Sequence, residues 1–131
     1  MRWWDIKEKT NTVFDEKDDR VVELFTQLGM PKNMAKTLMY LCQVDECQST
    51  DIEQAADLRQ PEVSVAMQDL RKRGWVEKRD LKKLGKGRPI HVYSPTVTLD
   101  KILNSFEEEK LNEINDIRMN ISELRESISS L

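Results

Sequence analysis

Three observations predict a mostly helical α+β fold for this chain of 131 residues. Apolar residues recur at helical spacing through most of the sequence from about residue 17 onward. Two short stretches, 75–79 and 90–94, contain aromatic and β-branched residues and flank a loop that holds glycines and cations. The last stretch, 99–131, ends in apolar residues at alternating intervals of three and four. We therefore expect a small helical domain with one hairpin, followed by a long C-terminal helix.

Composition limits the class of protein. The chain is 38% hydrophobic and 34% charged, which suits a small core under a strongly solvated surface. No run approaches the roughly 18 apolar residues that a transmembrane helix needs. The N-terminus, 1–5, lacks the apolar stretch of a secretion signal. A cytoplasmic protein with no membrane partner is the expectation that follows.

The residues that most often carry catalysis or bind metals are few. His91 is the single histidine, and the two cysteines, Cys42 and Cys47, do not cluster with other ligands. No nucleophile–base set or pair of carboxylates is evident either. We therefore expect no metal, no cofactor and no enzymatic activity. Cys42 is expected on a buried helix face and Cys47 at an exposed turn, and a thiol switch between them stays open as an alternative.

Four helices are predicted ahead of the hairpin, at about 17–28, 31–43, 51–57 and 61–73. Gly29 and Gly74 follow the first and the fourth of them, where a residue without a side chain ends a helix well. Ser49 and Thr50 are cap candidates for the third helix, and Glu53 follows Thr50 at the spacing of a capping box. The residues expected to face inward are Val21, Leu24, Phe25 and Leu28 on the first helix, and Val63, Ala66, Met67 and Leu70 on the fourth.

The third and fourth helices with the following hairpin have the outline of a winged helix-turn-helix, a fold that often binds nucleic acid. The charge distribution agrees with that interpretation. Residues 59–92 hold ten Lys/Arg against four Asp/Glu, a net charge of +6, while the rest of the chain holds 11 against 20, a net charge of −9. A basic segment on an acidic chain is an electrostatic footprint that the overall charge of −3 hides.

The fourth helix, about 61–73, is the candidate recognition element. The major groove of DNA admits a helix, and side chains in the first turns of that helix reach the base edges. Taken alone, this outer face is explained equally well as an ordinary solvated surface. The residues expected to contact DNA from the helix-turn-helix are Thr50, Arg59, Gln60, Glu62, Ser64, Val65, Gln68, Arg71 and Lys72.

The hairpin loop, 80–89, is the second candidate contact. Its cations, Lys82, Lys83, Lys86 and Arg88, fall within seven residues and repel one another unless a polyanion lies near. On DNA such a loop follows the backbone or enters the minor groove. A solvated lysine-rich turn is the alternative, and the preceding helix-turn-helix favours binding.

The last helix is predicted to serve in dimerisation. Upstream, Leu99, Leu103 and Phe106 share one phase and are expected to pack on the domain, and this pattern breaks near 107–111. Downstream, apolar residues follow a heptad spacing over not quite three repeats, so the first helix and the N-terminal segment should contribute to a dimer as well. The residues of this seam are Ile114, Ile117, Ile121, Leu124, Ile128 and Leu131. The predicted organisation is an N-terminal extension at 1–16, a winged-helix domain at 17–95 and a C-terminal helix at 96–131.

Three stretches resemble winged-helix transcription regulators of archaea and bacteria, of the TrmB and MarR kinds. They are 35–41, 63–76, and the wing at 87–94 that begins Gly-Arg-Pro. The resemblance covers roughly residues 20–95, and it implies a dimer that binds a short inverted repeat of double-stranded DNA through the fourth helix. Relatives of the TrmB kind often carry a C-terminal sugar-binding domain. None is expected here because the chain stops after one helix, so no small-molecule effector is assigned.

The sequence as a whole predicts a homodimeric, sequence-specific DNA-binding transcriptional regulator. Its two recognition helices are expected to meet half-sites about one helical turn apart. The rival is a winged-helix module for protein–protein interaction, in which the acidic helices and 99–131 dock a partner. The concentration of positive charge in 59–92 favours DNA, because an interaction module has little reason for it.

Overall fold

The computed structural model describes residues 15–81 and 90–131, in which there are five helices and three strands. The chain divides into two compact units, one that ends at Thr98 and one that spans Leu99–Leu131. We call the described part of the first the winged unit. Among the described residues, no helix has the length and apolarity to cross a membrane. The elements are α1 (Glu16–Gln27), α2 (Lys32–Val44), β1 (Cys47–Gln48), α3 (Ser49–Ala56), α4 (Gln60–Lys72), β2 (Val76–Leu81), β3 (Ile90–Pro95) and α5 (Leu99–Ser129).

Helices α1 and α4 end where the sequence places glycines. Asp15 and Asp18 cap the start of α1 reciprocally: Asp15 Oδ1 accepts the Asp18 backbone N–H at 2.9 Å, and Asp18 Oδ2 accepts that of Asp15 at 3.2 Å. Gly29 and Gly74 follow α1 and α4 with φ of 103° and 77°, in the left-handed region that glycine adopts without strain. Both predicted helix ends are therefore confirmed.

The predicted cap of α3 is wrong. Thr50 lies inside the helix, and the capping contact joins Gln48 and Asp51, whose Oδ2 accepts the Gln48 backbone N–H at 2.9 Å. Glu53 lies near Ser49 instead, with 3.5 Å between Ser49 Oγ and Glu53 Oε2. The helix starts earlier than predicted because β1 runs directly into it, so that the extended backbone of Gln48 leads into the first turn.

The core of the winged unit is organised around α2. Its residues Leu38, Tyr40 and Leu41 are fully buried, and α1, α3 and α4 all pack against it. Thr37 is buried as well, and its hydroxyl donates to the Asn33 carbonyl at 2.8 Å, which satisfies this buried polar group. The face that α4 turns inward is the predicted one, namely Val63, Ala66, Met67 and Leu70.

The inward face of α1 differs from the prediction. Val22 and Phe25 are buried, whereas Leu24 and Leu28 are 42% and 54% exposed. In the turn after the helix, the Met30 backbone N–H donates to the Phe25 carbonyl at 3.0 Å, and Met30 is itself buried. Met30 therefore supplies the apolar contact at the end of α1 that the spacing assigned to Leu28.

A three-stranded antiparallel sheet in the order β1–β3–β2 completes the winged unit. The hairpin strands β2 and β3 run from the pair Val76–Pro95 to the pair Leu81–Ile90, so β2 extends two residues into the predicted loop of 80–89. The short strand β1 pairs with β3 at Cys47 opposite Tyr93. Cys47 is only 6% exposed, which corrects its predicted exposure. A two-residue strand offers too few residues for a period-2 pattern to be recognised in the sequence.

The last helix, α5, is continuous over 31 residues, so the change of apolar phase near 107–111 does not interrupt it. Phe106 and Ile102 are buried, whereas Leu103 is 53% exposed. From residue 111 to the end, every side chain is exposed. The apolar residues of the predicted seam are among them.

Replacing Leu70 by Ala tests whether the inner face of α4 supports the fold. Leu70 is fully buried, and loss of a buried leucine side chain costs about 2–5 kcal/mol because a cavity is left behind. We expect the free energy of unfolding, measured by urea titration with circular dichroism, to fall by that amount. Leu28→Ala is the matched control, since Leu28 is 54% exposed, and its free energy of unfolding should change by less than about 0.5 kcal/mol. Equal losses for the two variants would contradict the assigned packing of α4.

Candidate nucleic-acid interface

The outer face of α4 is exposed and mostly polar, while the inner face of the same helix is buried. Gln60, Ser64 and Gln68 are exposed, and Val65 among them is 60% exposed. The opposite face of the same helix is packed in the core. Because the inner face fixes the rotation of α4, the outer side chains have defined directions, which a surface that reads bases requires.

Glu62 fastens the first turn of α4 to α2. Its Oε1 accepts the Arg59 backbone N–H at 2.9 Å, and its Oε2 accepts an N–H of the Asn33 side-chain amide at 3.2 Å. Asn33 lies in the first turn of α2. The hydrogen bond from the Arg59 backbone is the main reason that the pKa of Glu62 lies below its usual range. Glu62 therefore stays ionised and holds the start of the candidate recognition helix.

This geometry gives Glu62 a role that the sequence did not indicate. The sequence prediction placed Glu62 among the base contacts, whereas its carboxylate already accepts hydrogen bonds within the winged unit. The signal was hidden because a capping box is recognised by a Ser, Thr, Asp or Asn at its first position, and Arg59 occupies that position here. Pro61 inside the first turn was the visible marker of the same helix start.

Thr50 and Arg59 are both exposed near the starts of the two helices of the helix-turn-helix. The Arg59 side chain is 87% exposed, and its Nε lies 3.4 Å from Glu62 Oε1. An ion pair as open as this one contributes little to stability. The guanidinium of Arg59 thus lies at the edge of the outer face of α4 and is accessible to a ligand.

The C-terminal end of α4 carries three successive cations. Arg71 and Lys72, the predicted phosphate contacts, are exposed. Arg73 was not among the predicted site residues, and its guanidinium carbon lies 5.0 Å from the ring centroid of Trp75. That distance is typical of a cation–π contact, which holds the charge of Arg73 beside the base of the hairpin.

The hairpin is attached to the end of α4 at its base. The Thr96 backbone N–H donates to the Trp75 carbonyl at 2.9 Å, and the Thr96 hydroxyl donates to the Gly74 carbonyl at 2.5 Å. These bonds join the turn after α4 to the residue that follows β3. The base of the hairpin is therefore fixed relative to the outer face of α4.

Polar side-chain contacts support the strands further along. His91 Nδ1 lies 2.5 Å from Asp80 Oδ1, and Arg79 donates to Glu46 at 2.9 Å. The single histidine is thus a strand-surface residue paired with a carboxylate, as the sequence interpretation favoured over a catalytic base. The loop cations Lys82, Lys83, Lys86 and Arg88 lie outside the described residues. The strand residues on either side of them, Leu81 and Ile90, face each other across the hairpin.

The two cysteines do not form a disulfide. Burial raises the pKa of Cys42 to about 11, so little of the reactive thiolate exists at neutral pH. Cys47 is buried in the sheet. Both observations count against the alternative of a thiol switch. Among the described residues, no group of three or more histidine, cysteine or acidic side chains could hold a metal ion.

These elements define a winged helix-turn-helix, in which α3 and α4 form the helix-turn-helix and β2 and β3 form the wing. Comparison with solved structures confirms this predicted fold. TrmBL2, described as an archaeal chromatin protein with a novel mode of DNA binding, superposes with a TM-score of 0.67 at 17% sequence identity. The match covers 85% of this chain, which spans only 40% of the length of TrmBL2.

A possible transcriptional regulator from Methanosarcina mazei Go1 superposes with a TM-score of 0.61 at 12% identity, over 87% of this chain and 98% of that protein. MepR, a transcription regulator of the Staphylococcus aureus multidrug efflux pump MepA, has a TM-score of 0.47 at 16% identity, over 86% of this chain and 90% of that one. No protein-family model and no curated protein sequence matches the chain.

The structural role of Glu62 predicts a stability difference that depends on pH. Because its folded pKa is lowered, Glu62 stabilises the fold above its unfolded pKa of about 4.3, and this stabilisation is lost as the pH falls through the folded value. We expect Glu62→Gln to lower the melting temperature by a few degrees at pH 7. The difference from the original protein should shrink steadily below about pH 4, in thermal melts followed by circular dichroism.

Glu123→Gln is the control for that experiment. Glu123 lies exposed on α5, and its replacement removes the same charge without touching α4. Its melting temperature should follow that of the original protein at every pH. A pH-independent difference for Glu62→Gln would show that the carboxylate charge is not what stabilises the start of α4.

Proposed function

We propose that the protein is a sequence-specific DNA-binding transcriptional regulator that acts as a homodimer. The observation that carries the proposal is the outer face of α4, which is exposed and polar while the inner face, Glu62 and the hairpin hold the helix in place. The descriptions of TrmBL2 as a DNA-binding chromatin protein and of the Methanosarcina protein as a possible regulator support it. The cytoplasmic location expected from the sequence belongs to the same proposal.

In this proposal, α4 enters the major groove and reads bases with side chains of its first three turns. The amides of Gln60 and Gln68 match the donor–acceptor pair that adenine presents there, and Arg59 matches guanine. Val65 offers an apolar surface for the methyl group of thymine, and the Ser64 hydroxyl can pair with several bases. Since the Glu62 carboxylate is engaged within the protein, we assign it to positioning α4.

Phosphate contacts supply most of the affinity in the proposal. Arg71 and Lys72 lie exposed at the C-terminal end of α4, and Thr50 lies at the start of α3. The cations of 82–89 add four positive charges between the two hairpin strands. Lysines and arginines that neutralise phosphates release counterions, so the binding constant should fall steeply as salt is added.

The homodimer is supported by the seam on α5. Its six residues have exposures from 43% for Ile114 to 101% for Leu131, although all of them are apolar. A continuous apolar stripe on a solvated helix favours a partner helix. Two recognition helices in one dimer would then meet half-sites about one helical turn apart.

A protein–protein interaction module stays the second candidate, and the exposure of Leu24 and Leu28 on α1 is the observation that favours it. Selection of bound sequences from a random duplex library separates the two. An enriched inverted repeat supports the regulator and gives the half-site spacing. No retained DNA at low salt would overturn the regulator and leave the interaction module.

Replacing Gln68 by Ala is expected to change base preference. A bidentate amide–adenine pair contributes about 1–3 kcal/mol of discrimination, so the variant should lose that preference at one position of each half-site and keep its affinity for random DNA. Fluorescence anisotropy against a set of singly substituted duplexes measures it. Gln27→Ala, on the exposed side of α1, removes the same group and should leave the preference unchanged. A uniform loss on every duplex would contradict the reading role of Gln68.

Replacing Lys82, Lys83 and Arg88 together by Ala is expected to weaken binding to all sequences alike. Each lost phosphate contact reduces the slope of log K against log salt by about 0.9, so the slope should flatten by about 2.7 for each protomer. The measurement is a salt titration of the anisotropy signal. The control replaces Lys17, Arg20 and Lys101 by Ala, and these replacements remove the same charge from α1 and α5. Should both triple variants flatten the slope equally, net charge alone would explain binding and no contact could be assigned to the loop.

A further inference from the structure

The seam of α5 contains information about how two copies pair. In heptad notation, the a positions are Ile114, Ile121 and Ile128, and the d positions are Ile117, Leu124 and Leu131. Isoleucine at every a position with leucine at two of the three d positions is the pattern that favours two parallel strands, whereas isoleucine at both positions favours more strands. All six side chains are exposed in a single copy, five of them on α5 and Leu131 two residues after its end.

The charges beside the seam point the same way. Arg118 and Arg125 occupy the two e positions, and neither has an acidic residue three or four positions away in its own helix. Glu113 occupies a g position. In a parallel pair, a g residue lies beside the e residue five positions further along the other helix, which places Glu113 of one copy next to Arg118 of the other. Both arginines are exposed, as this contact requires.

Antiparallel pairing of the same seam lacks this complementarity. When the six apolar residues interdigitate in opposite directions, e positions face e positions, and Arg118 of one copy lies beside Arg125 of the other. Like charges so placed destabilise a pair. Glu113 would then keep only the contact it already has within its helix, where Lys110 Nζ lies 3.1 Å from its Oε2.

We infer that α5 pairs with α5 of a second copy as a parallel, two-stranded coiled coil in which Glu113 and Arg118 form reciprocal ion pairs between the copies. This inference rests on the homodimer of the proposed function and adds the direction and register of its helices. It also places the N-terminal ends of the two seams side by side, whereas antiparallel helices would separate them by about 26 Å.

Disulfide trapping in the full-length chain tests the direction. Cys42 and Cys47 are replaced by Ala to remove the native thiols, and Ile128→Cys introduces one thiol at an a position. In a parallel dimer the two introduced thiols face each other. In the antiparallel dimer they are offset by about 16 Å along the axis, and Cα atoms more than about 7 Å apart are not bridged. We expect most of the protein to run as a linked dimer on a non-reducing gel after mild oxidation.

Glu126→Cys in the same background is the matched control, because position 126 is an outward f position of the same helix turn. It should give little linked dimer. Equal linking at 126 and 128 would indicate random collisions and overturn the inference. A dimer in sedimentation equilibrium that does not link at 128 would overturn the parallel direction alone and leave the proposed homodimer standing. A monomer at all concentrations would overturn both the parallel direction and the proposed homodimer. DNA binding is measured in a separate experiment.

Charge exchange tests the register without altering the cysteines. Arg118→Glu should raise the dissociation constant of the dimer about two- to five-fold for each of the two reciprocal pairs, the size expected of exposed ion pairs. Combining it with Glu113→Arg should restore dimerisation, since the exchanged charges attract again in a parallel pair. If the double variant is as weak as the single variant, Glu113 and Arg118 do not face each other and the proposed register is wrong.

Discussion

The burial of one face of α4 against α2 is the constraint on which the rest of the winged unit depends. Leu70 and Val63 fix the rotation of the helix about its axis, and Glu62 fixes its first turn through Arg59 and Asn33. Both effects are needed, because a helix that is held only by apolar contacts can slide along them, whereas two directed hydrogen bonds define one position. The outer face then follows without further contacts. Its side chains point where they do because the inner ones are packed.

The sequence predicted the helices well wherever a pattern extended over several turns. The apolar spacing of α4 and the glycines that follow α1 and α4 were sufficient for this. The sequence prediction was wrong where tertiary contacts decide which residues are buried. Met30 is buried at the end of α1 where the spacing assigned Leu28, and pairing with β3 buried Cys47 in a strand of two residues. No local pattern encodes either contact, since both depend on elements that are distant in sequence or follow a turn.

The same distinction applies to the candidate site. Glutamines and arginines expected on the outer face of a predicted helix could be proposed as contact residues from their spacing alone. Only the folded structure shows that Glu62 does not belong to that set, because its partner Asn33 is 29 positions earlier in the chain. Arg73 was missed for a related reason, since its position over Trp75 depends on the turn at Gly74. Spacing thus identifies which residues lie on a face, whereas hydrogen bonds decide which of them stay available to a ligand.

In a dimeric DNA binder, the strength of the dimer and the binding to DNA depend on each other. On the proposed function, six apolar residues over not quite three heptads would give a weak coiled coil, so much of the protein would be monomeric when dilute. A duplex with two half-sites raises the effective concentration of the second copy once the first is bound. On the proposed function, DNA and dimerisation therefore favour each other, and occupancy rises more steeply than in proportion to protein concentration. The weakness of the seam is then what makes the response depend on how much protein is present.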